Sequence, residues 1–458
     1  MAGLADLLVR GRAVAPVLVA YAQTRSRAFD DRAELEAFQA GRLRKVLVRA
    51  ATTFPHYRAV AGRQLSDFPI MTKDVWLQHF SDLNTAGASL AECLTAARET
   101  ESRREFDAAT GGLAIGLSTG TSGRQGAFLT SPAERARWAG IMLAKALPSG
   151  LRHPARVALF LRSGGALYDT VGGGRIDFRY FDLALPWDRL AAELVAFAPT
   201  ILAAPPAVLG RLADALESGE LTMPPPEIVY SVADVLEPEL QARARTALLA
   251  PVGQIYQATE GFLGITCAAG TLHLNEDLVV VEREVIDPAS GRFVPIVTDL
   301  WRTSQAIIRY RLDDILLPSP APCVCGSVMV AIDRVEGRAD DVLLLRPSQN
   351  GGIRSEAAAP RPSGGTLRPL YADFVRAAIL AVPRVIDFRL VQAAPAQASL
   401  ALRLESGASG ERAFGAVSVA LDAVCRRAGL QPLPVTPAPW PVETLATKAR
   451  RVRRDFAA

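Results

Sequence analysis

The chain has 458 residues, of which 50% are hydrophobic and 21% are charged, and its formal net charge at pH 7 is +4. This composition excludes an intrinsically disordered protein, and so small a charge, spread along the chain, argues against nucleic acid as a partner. The length exceeds what one hydrophobic core normally supports, so a large domain and a smaller one are expected.

The first hundred residues carry apolar side chains at helical spacing, as at Leu35, Phe38 and Leu43, with a short break at Pro55. This pattern predicts a helical entry segment. The apolar stretch at residues 14–22 is interrupted by Pro16, and it is shorter than the roughly 20 residues that a bilayer crossing requires. No membrane insertion is therefore expected.

Strand and helix patterns alternate along the middle of the chain. Apolar runs predict strands at 156–161, 201–204, 227–231 and 254–256, and helical runs at 187–197 and 238–250 lie between them. Such alternation is typical of parallel strands joined by crossover helices. The sequence therefore predicts a parallel α/β body.

After Gly270 the pattern changes to strand-like segments separated by turn residues, at 278–286 and 306–310. These segments predict a β-rich, more antiparallel subdomain. Residues 346–369 are rich in Gly, Pro, Ser and Ala and lack apolar periodicity, which predicts a flexible insertion. The helix-like and strand-like segments beyond it predict a small α+β domain, so the expected fold class is α/β with a large N-terminal and a small C-terminal domain.

The most informative segment is a loop rich in glycine and hydroxyl groups, made of Ser118, Thr119, Gly120, Thr121, Ser122 and Gly123. Glycines let backbone N–H groups approach an anion and hydroxyls add donors, so such a loop can bind phosphate. It lacks the Gly-Lys-Ser/Thr ending of a P-loop NTPase, which disfavours that class. Taken alone, the loop is equally compatible with a mobile surface linker.

Four further segments follow this loop in a fixed order: YQATE at 256–260, RYRLDD at 309–314, GRADD at 337–341, and Lys448 ahead of Arg450 and Arg451. Together with the loop, they make the chain resemble the adenylate-forming superfamily of acyl-CoA synthetases, from about residue 54 to the C-terminus. The resemblance is strongest to the phenylacetate-CoA ligase and coenzyme F390 synthetase-like branch. It implies an adenylation domain at 1–338 and a mobile C-terminal lid domain at 339–458.

The resemblance implies that ATP activates a carboxylic acid as an acyl-adenylate, with release of pyrophosphate, before the acyl group passes to a thiol. The thiol belongs to coenzyme A or to the phosphopantetheine of a carrier protein. The resemblance assigns catalysis to Lys448, Glu260 and Thr259. Glu260 would hold Mg²⁺ on the phosphates, Thr259 would hydrogen-bond the α-phosphate, and Lys448 would stabilise the transition state.

The same resemblance assigns nucleotide binding to the loop at 118–123 and to Tyr256, Asp314 and Arg338. Asp314 would accept the ribose hydroxyls, and Arg338 would bridge the ribose and the phosphates. Asp340 would be the hinge about which the small domain rotates. Plainer interpretations exist, namely a surface carboxylate for Glu260, a turn aspartate for Asp314 and a solvated helix face for the basic run at 448–454.

The sequence departs from the family pattern at three positions. Gly126 stands where most relatives have lysine, Asp313 where glycine is common, and Asp234 where relatives of this branch tend to have glutamate. A ligase with an amine acceptor would share the same motifs. The missing lysine also leaves a non-catalytic nucleotide-binding scaffold as an alternative.

The resemblance favours an aryl or arylacetic acid as the substrate, and a fatty acid or another acid stays open. The acyl pocket is expected near a set of apolar residues that are equally suited to a hydrophobic core. These residues are Tyr168, Phe178, Tyr180, Phe181, Val232 and Phe262.

Cysteine spacing predicts a separate metal site. Cys323 and Cys325 precede a glycine at the spacing of a metal knuckle, and Cys267 with His273 supplies a second pair. Three thiolates and one imidazole suit tetrahedral Zn²⁺ in a closed structural site. The alternative is a buried, small apolar Cys267 with Cys323 and Cys325 unliganded. Five cysteines, sparse and odd in number, fit a reducing compartment, so the cytoplasm is the expected location.

Overall fold

The computed structural model of the chain describes residues 2–103, 105, 107–117, 125–162, 174–338, 341–348, 367–442 and 450–456. The chain forms two compact units, residues 1–312 with 316–335, and residues 313–315 with 336–458. Of the insertion predicted at 346–369, residues 349–366 lie outside the described residues.

The first unit opens with helices, which confirms the predicted helical entry segment. Side-chain caps begin several of these helices: Asp31 accepts the backbone N–H of Glu34, and Ser89 and Ser131 each begin a helix with a capping box. The helices of this unit are α1 (Ala2–Arg25), α2 (Arg32–Thr53), α3 (Lys73–Gln78), α4 (Leu90–Ser102), α5 (Pro132–Ala146), α6 (Trp187–Phe197), α7 (Pro206–Glu217) and α8 (Pro238–Leu248).

Helices α1 and α5 pack closely because Gly140 has no side chain. A Cβ atom at Gly140 would lie 2.3 Å from the carbonyl oxygen of Val17 and 2.7 Å from the Cβ of Ala20. Any larger residue would force the two helices apart. None of the helices in the described part of the chain combines the length and apolarity that a bilayer crossing requires.

The strands up to residue 338 follow in chain order. They are β1 (Ala109–Thr110), β2 (Leu113–Leu117), β3 (Ala127–Thr130), β4 (Ala155–Leu161), β5 (Ile176–Asp182), β6 (Ile201–Ala204), β7 (Ile228–Ser231), β8 (Val252–Ala258), β9 (Gly261–Thr266), β10 (Leu272–Leu274), β11 (Val279–Asp287), β12 (Arg292–Asp299), β13 (Tyr310–Arg311), β14 (Asp314–Pro318) and β15 (Ala331–Arg338).

Strands β4 to β15 form one 12-stranded sheet in the order β11-β12-β14-β15-β10-β9-β8-β7-β6-β4-β5, with β13 paired to β12. From β4 to β8 the pairing is parallel, because α6, α7 and α8 carry the chain back between strands. The direction changes at β8 and β9, which pair antiparallel. The predicted α/β fold with a parallel body and a β-rich part is therefore confirmed.

One predicted strand is largely wrong. The apolar run at 306–310 contributes only Tyr310 to a strand, β13. Ile307 and Ile308 are buried, but Arg309 has a positive φ of 46°, and this left-handed backbone interrupts an extended chain. The consecutive apolar residues at 306–308 are therefore buried in the core without forming a strand.

The second unit contains a four-stranded sheet in the order β20 (Val435–Pro437), β19 (Gln397–Leu404), β18 (Val385–Ala394) and β21 (Val452–Arg454). It has its own apolar core around Phe388, Leu390, Leu400 and Val417. Strands β18 and β19 pair antiparallel, and β20 and β21 join the two edges in parallel. The elements of this unit are β16 (Leu343–Leu345), β17 (Arg368–Leu370), α9 (Ala372–Leu380), β18 (Val385–Ala394), β19 (Gln397–Leu404), α10 (Gly410–Arg427), β20 (Val435–Pro437) and β21 (Val452–Arg454).

Candidate functional site

Three of the predicted site residues lie on the hairpin of β8 and β9. Ala258 pairs with Gly261, so Thr259 and Glu260 form the two-residue turn at the tip. The Thr259 hydroxyl donates a hydrogen bond to Glu260 Oε2 at 2.9 Å. Tyr256 lies on β8 before this turn. The hairpin therefore fixes a hydroxyl and a carboxylate side by side, next to a tyrosine.

Arg302 holds this turn from a neighbouring segment. Its Nη2 donates to the carbonyl oxygen of Thr259 at 2.8 Å, while its Nη1 is buried without a hydrogen-bond partner in the part of the chain that the structure describes. The backbone N–H groups of Trp301 and Arg302 both donate to Asp299 Oδ1 at 2.7 Å. Burial raises the pKa of Asp299, and the charge of Arg302 and these two N–H groups oppose that rise.

Glu134 near the start of α5 binds the same segment. Its carboxylate accepts hydrogen bonds from the backbone and hydroxyl groups of Thr303 and Ser304, and from the backbone N–H of Ser131 at 2.7 Å. Burial alone would raise the pKa of Glu134, but these hydrogen bonds lower it to about 2. The capping-box pattern Ser131-x-x-Glu134 predicts the start of the helix, but nothing in the sequence predicts the contacts of Glu134 with Thr303 and Ser304.

The phosphate loop at 118–123 lies outside the described residues, but the strands on either side of it are described. Strands β2 and β3 pair antiparallel around the loop. Strand β3 is bound to the segment after Arg302, because the Ser304 hydroxyl donates to the Leu129 carbonyl at 3.0 Å and the Leu129 N–H donates to Gln305 Oε1 at 3.1 Å. The segment 302–305 thus contacts both the strand that leaves the loop and the tip of the hairpin.

Asp314 and Arg338 come together in the second unit. They lie on adjacent strands, β14 and β15, and Arg338 Nε is 3.8 Å from Asp314 Oδ1. The backbone N–H of Arg338 donates to Asp341 Oδ2 at 2.7 Å, and the Arg450 side chain donates to Asp341 Oδ1 at 2.8 Å. The predicted hinge residue Asp340 and the predicted catalytic Lys448 lie outside the described residues.

The interpretation of the basic run at 448–454 as a solvated helix face is wrong for its described part. Residues 452–454 form strand β21, parallel to β18. Arg450 pairs with Asp341, and Arg451 pairs with Asp387 at 2.7 Å, with side chains only 15% and 21% exposed. The arginines next to Lys448 are therefore structural anchors that tie its segment to β18 and to the residues after Arg338.

The four predicted metal ligands form one cluster in the first unit. The ligand atoms of Cys267, His273, Cys323 and Cys325 all lie within 4.8 Å of one another. The Cys267 and Cys323 sulfurs are 3.8 Å apart, and the Cys325 sulfur is 3.4 Å from His273 Nε2. His273 Nδ1 lies 3.1 Å from the carbonyl oxygen of Met329, an arrangement that leaves Nε2 directed at the thiols.

Two tight turns shape this cluster. The Cys267 N–H donates to Thr271 O at 2.8 Å across the turn between β9 and β10, and the Gly326 N–H donates to Cys323 O at 3.1 Å. Gly326 has a φ of +73°, which only glycine adopts without strain. Hydrogen bonds lower the pKa of Cys323 to about 6, and the largest contribution comes from the side chain of Thr271. Burial raises the pKa of Cys325 to about 11.

Most of the residues expected near an acyl pocket lie in the core. Phe181, Val232 and Phe262 are buried, and Phe181 stacks on Phe160 with ring centres 4.5 Å apart. The Tyr180 hydroxyl donates to the Leu161 carbonyl. Phe178 packs against the same core, while Tyr168 lies outside the described residues. Their apolar character thus serves packing, and it does not identify the acid.

Solved structures of ligases share this fold. The chain matches 2-hydroxyisobutyryl-CoA ligase in the postadenylation state, in complex with 2-HIB-AMP, with a TM-score of 0.65 and 18% identity over 93% of this chain and 90% of that one. An open conformation of the same ligase, in complex with 2-HIB-AMP and CoA, gives a TM-score of 0.54 and 19% identity over 92% and 91%.

An acyl acid amido synthetase gives a TM-score of 0.54 and 12% identity over 88% of this chain and 85% of that one. No protein-family model matches the sequence, and no curated protein sequence matches it either. At these identities the likeness establishes the fold alone, which the chain shares with the CoA ligase and the amido synthetase.

Proposed function

We propose that the protein activates a carboxylic acid with ATP and then transfers the acyl group to a thiol. A carboxylate oxygen of the acid attacks the α-phosphorus of ATP, the bond to the β-phosphate breaks, and pyrophosphate leaves. A thiolate then attacks the carbonyl carbon of the acyl-adenylate, and AMP leaves. Two anions meet in the first step, so fixed positive charges and hydrogen-bond donors must supply most of the stabilisation.

The observation that carries the proposal is the Thr259–Glu260 turn within this fold. A carboxylate at the tip of a rigid hairpin is the oxygen ligand that Mg²⁺ prefers when it binds phosphates. Thr259 would hydrogen-bond the α-phosphate, and Tyr256 on the same hairpin would line the nucleotide site. Segment 302–305 supports the proposal further, because it connects this hairpin to the strand that leaves the loop at 118–123.

Asp314, Arg338 and Lys448 complete the proposed nucleotide machinery. Asp314 would accept the ribose hydroxyls, and Arg338, within 3.8 Å of it, would reach from the ribose to the phosphates. Lys448 would stabilise the adenylation transition state. We propose that Asp340 is the hinge between an adenylation domain at 1–338 and a lid domain at 339–458, so that Lys448 withdraws before thioester formation.

Coenzyme A is the acceptor we favour, with carrier-protein phosphopantetheine as the alternative thiol source. One of the solved structures that share the fold is in complex with CoA. The acyl acid amido synthetase gives a specific reason for a second candidate, an amine acceptor. Its reaction would begin with the same adenylation. We place the reaction in the cytoplasm, because the five cysteines form no disulfide bond.

We propose an aryl or arylacetic acid as the substrate, in line with the phenylacetate-CoA ligase-like branch that the motifs resemble. Hydroxamate trapping with ATP, Mg²⁺ and a panel of aryl, arylacetic, aliphatic and 2-hydroxy acids tests this proposal, with pyrophosphate release as a second measurement. One acid class should give hydroxamate and pyrophosphate together. Absence of both with every acid would contradict the proposed activity. ATP binding by calorimetry without any turnover would then favour the non-catalytic nucleotide-binding scaffold.

The Cys267, His273, Cys323 and Cys325 cluster is proposed to hold a structural Zn²⁺. Three sulfurs and one imidazole nitrogen suit tetrahedral zinc, and four protein ligands leave no position for substrate. The contact of His273 with the Met329 carbonyl supports the required tautomer. Elemental analysis of the purified protein should give one zinc per chain. The Cys325→Ser variant should lose it, whereas Cys93→Ser, at a buried cysteine outside the cluster, should retain it.

A further inference from the structure

Within the described residues, one of the two terminal nitrogens of the Arg302 guanidinium has no hydrogen-bond acceptor. Its Nη2 binds the Thr259 carbonyl at 2.8 Å, but its Nη1 is buried and has no hydrogen-bond partner among the described residues. Within the same ranges no carboxylate forms an ion pair with Arg302. Asp299 interacts with it electrostatically, but Asp299 Oδ1 is occupied by the backbone N–H groups of Trp301 and Arg302.

A buried guanidinium N–H without an acceptor is energetically unfavourable, so this position favours a ligand that brings acceptor oxygens. A phosphate chain brings several, and the planar fork of arginine matches phosphate oxygens better than any other side chain. Glu260 is the residue next to Thr259, whose carbonyl Arg302 binds, in the turn between β8 and β9. The two opposite charges are not paired with each other in the described part of the chain, which suits a ligand that carries both phosphate and a divalent cation.

The backbone holds Arg302 in place. The next two residues, Thr303 and Ser304, are bound to Glu134, and Gln305 accepts the Leu129 N–H on the strand that leaves the phosphate loop. The backbone around Arg302 therefore needs little rearrangement when a ligand binds. A charged group that is already in position stabilises a transition state most strongly.

From this geometry we infer that Arg302 binds the β- and γ-phosphates of ATP, next to the turn that carries Glu260. The inference rests on the proposed adenylation and adds a catalytic residue outside the motifs that suggested it. As the bond to the α-phosphorus breaks, charge builds up on the departing pyrophosphate, and the guanidinium would stabilise that charge.

The test compares Arg302→Gln and Arg302→Lys with wild type and with a matched control, Arg137→Gln. The Arg137 guanidinium carbon lies 5.0 Å from the Trp301 ring centre, and within the described ranges Arg137 makes no hydrogen bond or ion pair. Three quantities are measured: pyrophosphate release as a function of ATP concentration, calorimetric affinity for ATP and for AMP, and the unfolding temperature.

Arg302→Gln should lower kcat/KM for ATP by about 100-fold, the size expected for a charge-assisted phosphate contact. Its ATP affinity should fall at least tenfold while AMP affinity changes less than threefold, since AMP lacks the β- and γ-phosphates. Arg302→Lys should recover part of the loss, and Arg137→Gln should behave like wild type.

Unchanged ATP kinetics and affinity in Arg302→Gln would overturn the inference. So would equal losses of ATP and AMP affinity together with a lower unfolding temperature, because that result means a structural role. Failure of the wild type to release pyrophosphate with any acid contradicts the proposed function instead. In that case the ATP and AMP affinities of wild type and Arg302→Gln still decide the role of Arg302, because they need no turnover.

Discussion

The proposed metal cluster and the proposed nucleotide site differ in how their residues are distributed along the chain. The cluster takes its four ligands from two short turns, at 267–273 and 323–325, and all four lie within 4.8 Å in one unit. The nucleotide residues come from segments spread from 118 to 448. The described ones form two groups, the Thr259–Glu260 turn in the first unit and the Asp314–Arg338 pair in the second.

This difference teaches what each site requires of the fold. A closed metal site needs only two short segments that each supply two ligands, so the spacing of the ligands along the sequence is enough to predict most of it. The residues proposed for the nucleotide site are instead spread over several segments of the chain, so local spacing carries little information about them. Arg302 is an example: its Nη2 binds the Thr259 carbonyl, and its Nη1 has no hydrogen-bond partner among the described residues.

The largest effect is expected at the nucleotide site. Glu260→Gln keeps the size and shape of the side chain but removes the charge that would hold Mg²⁺, so pyrophosphate release should fall by about 1000-fold. Glu239→Gln, at an exposed glutamate near the start of α8, is the control and should leave the rate unchanged. A Glu260→Gln variant with more than a tenth of wild-type activity would show that the hairpin carboxylate is not a metal ligand in catalysis.

A substitution in the proposed metal cluster should lower the stability of the protein without slowing its reaction. Cys325→Ser should lower the free energy of unfolding by at least ~3 kcal/mol, because zinc binding to the folded state contributes directly to folding. Acyl transfer by the protein that stays folded should change less than twofold. Chemical denaturation with and without a chelator provides the measurement.

Cys93→Ala, at a buried cysteine outside the cluster, is the control for the zinc variant. It should cost about 1 kcal/mol from lost packing and should not respond to the chelator. Equal chelator sensitivity of wild type and Cys325→Ser would contradict a structural zinc.

Glu134 makes the stability of the first unit depend on pH, through its hydrogen bonds to Thr303 and Ser304. Its folded pKa of about 2 lies below the ordinary value of 4.5, so its stabilising effect is fully present above pH 4.5 and is lost as the pH falls toward 2. The contribution at neutral pH is about 3 kcal/mol. Unfolding free energies between pH 6 and pH 2.5 should fall more steeply for wild type than for Glu134→Gln. Parallel pH profiles for the two proteins would contradict this assignment.

A smaller effect is expected where the Lys448 segment is anchored. Arg450→Gln removes the guanidinium from Asp341 and should cost about 2 kcal/mol, because it leaves a mostly buried carboxylate with fewer partners. Adenylation should slow, while thioester formation from a supplied acyl-adenylate should not. Arg453→Gln is the matched control, since its partner Asp455 is 43% exposed and such pairs contribute below about 1 kcal/mol. Equal slowing of both half-reactions would show that the Asp341 contact has no specific link to Lys448.

The fold could be predicted from the sequence because its strands and helices are locally consistent. The helix at 187–197 and the strand at 201–204 coincide with the observed α6 and β6. The run at 306–310 misled because burial gives the same apolar composition to a core loop as to a strand. The prediction for Arg450 and Arg451 was wrong for the opposite reason. Their charges suggested exposure to solvent, but each arginine pairs with an aspartate that is far away in sequence, Asp341 or Asp387.

The candidate site was predictable only where neighbours in sequence are neighbours in space. Thr259 and Glu260 qualify, because a two-residue turn joins them. Arg302 and Glu134 carried no such signal: their partners lie 43 and about 170 residues away, and only the folded sheet brings them together. A basic residue three positions after the aspartate that ends strand β12 is the nearest thing to a sequence hint for Arg302.

The most direct test of the adenylation claim follows the oxygen atoms of the acid. The carboxylate of an active acid is enriched in the heavy isotope of oxygen, and AMP and pyrophosphate are analysed by mass spectrometry after one turnover. Attack of the carboxylate on the α-phosphorus predicts one heavy oxygen in AMP and none in pyrophosphate. Heavy oxygen in inorganic phosphate, with ADP as the nucleotide product, would contradict the account and mean that the acid is activated as an acyl phosphate.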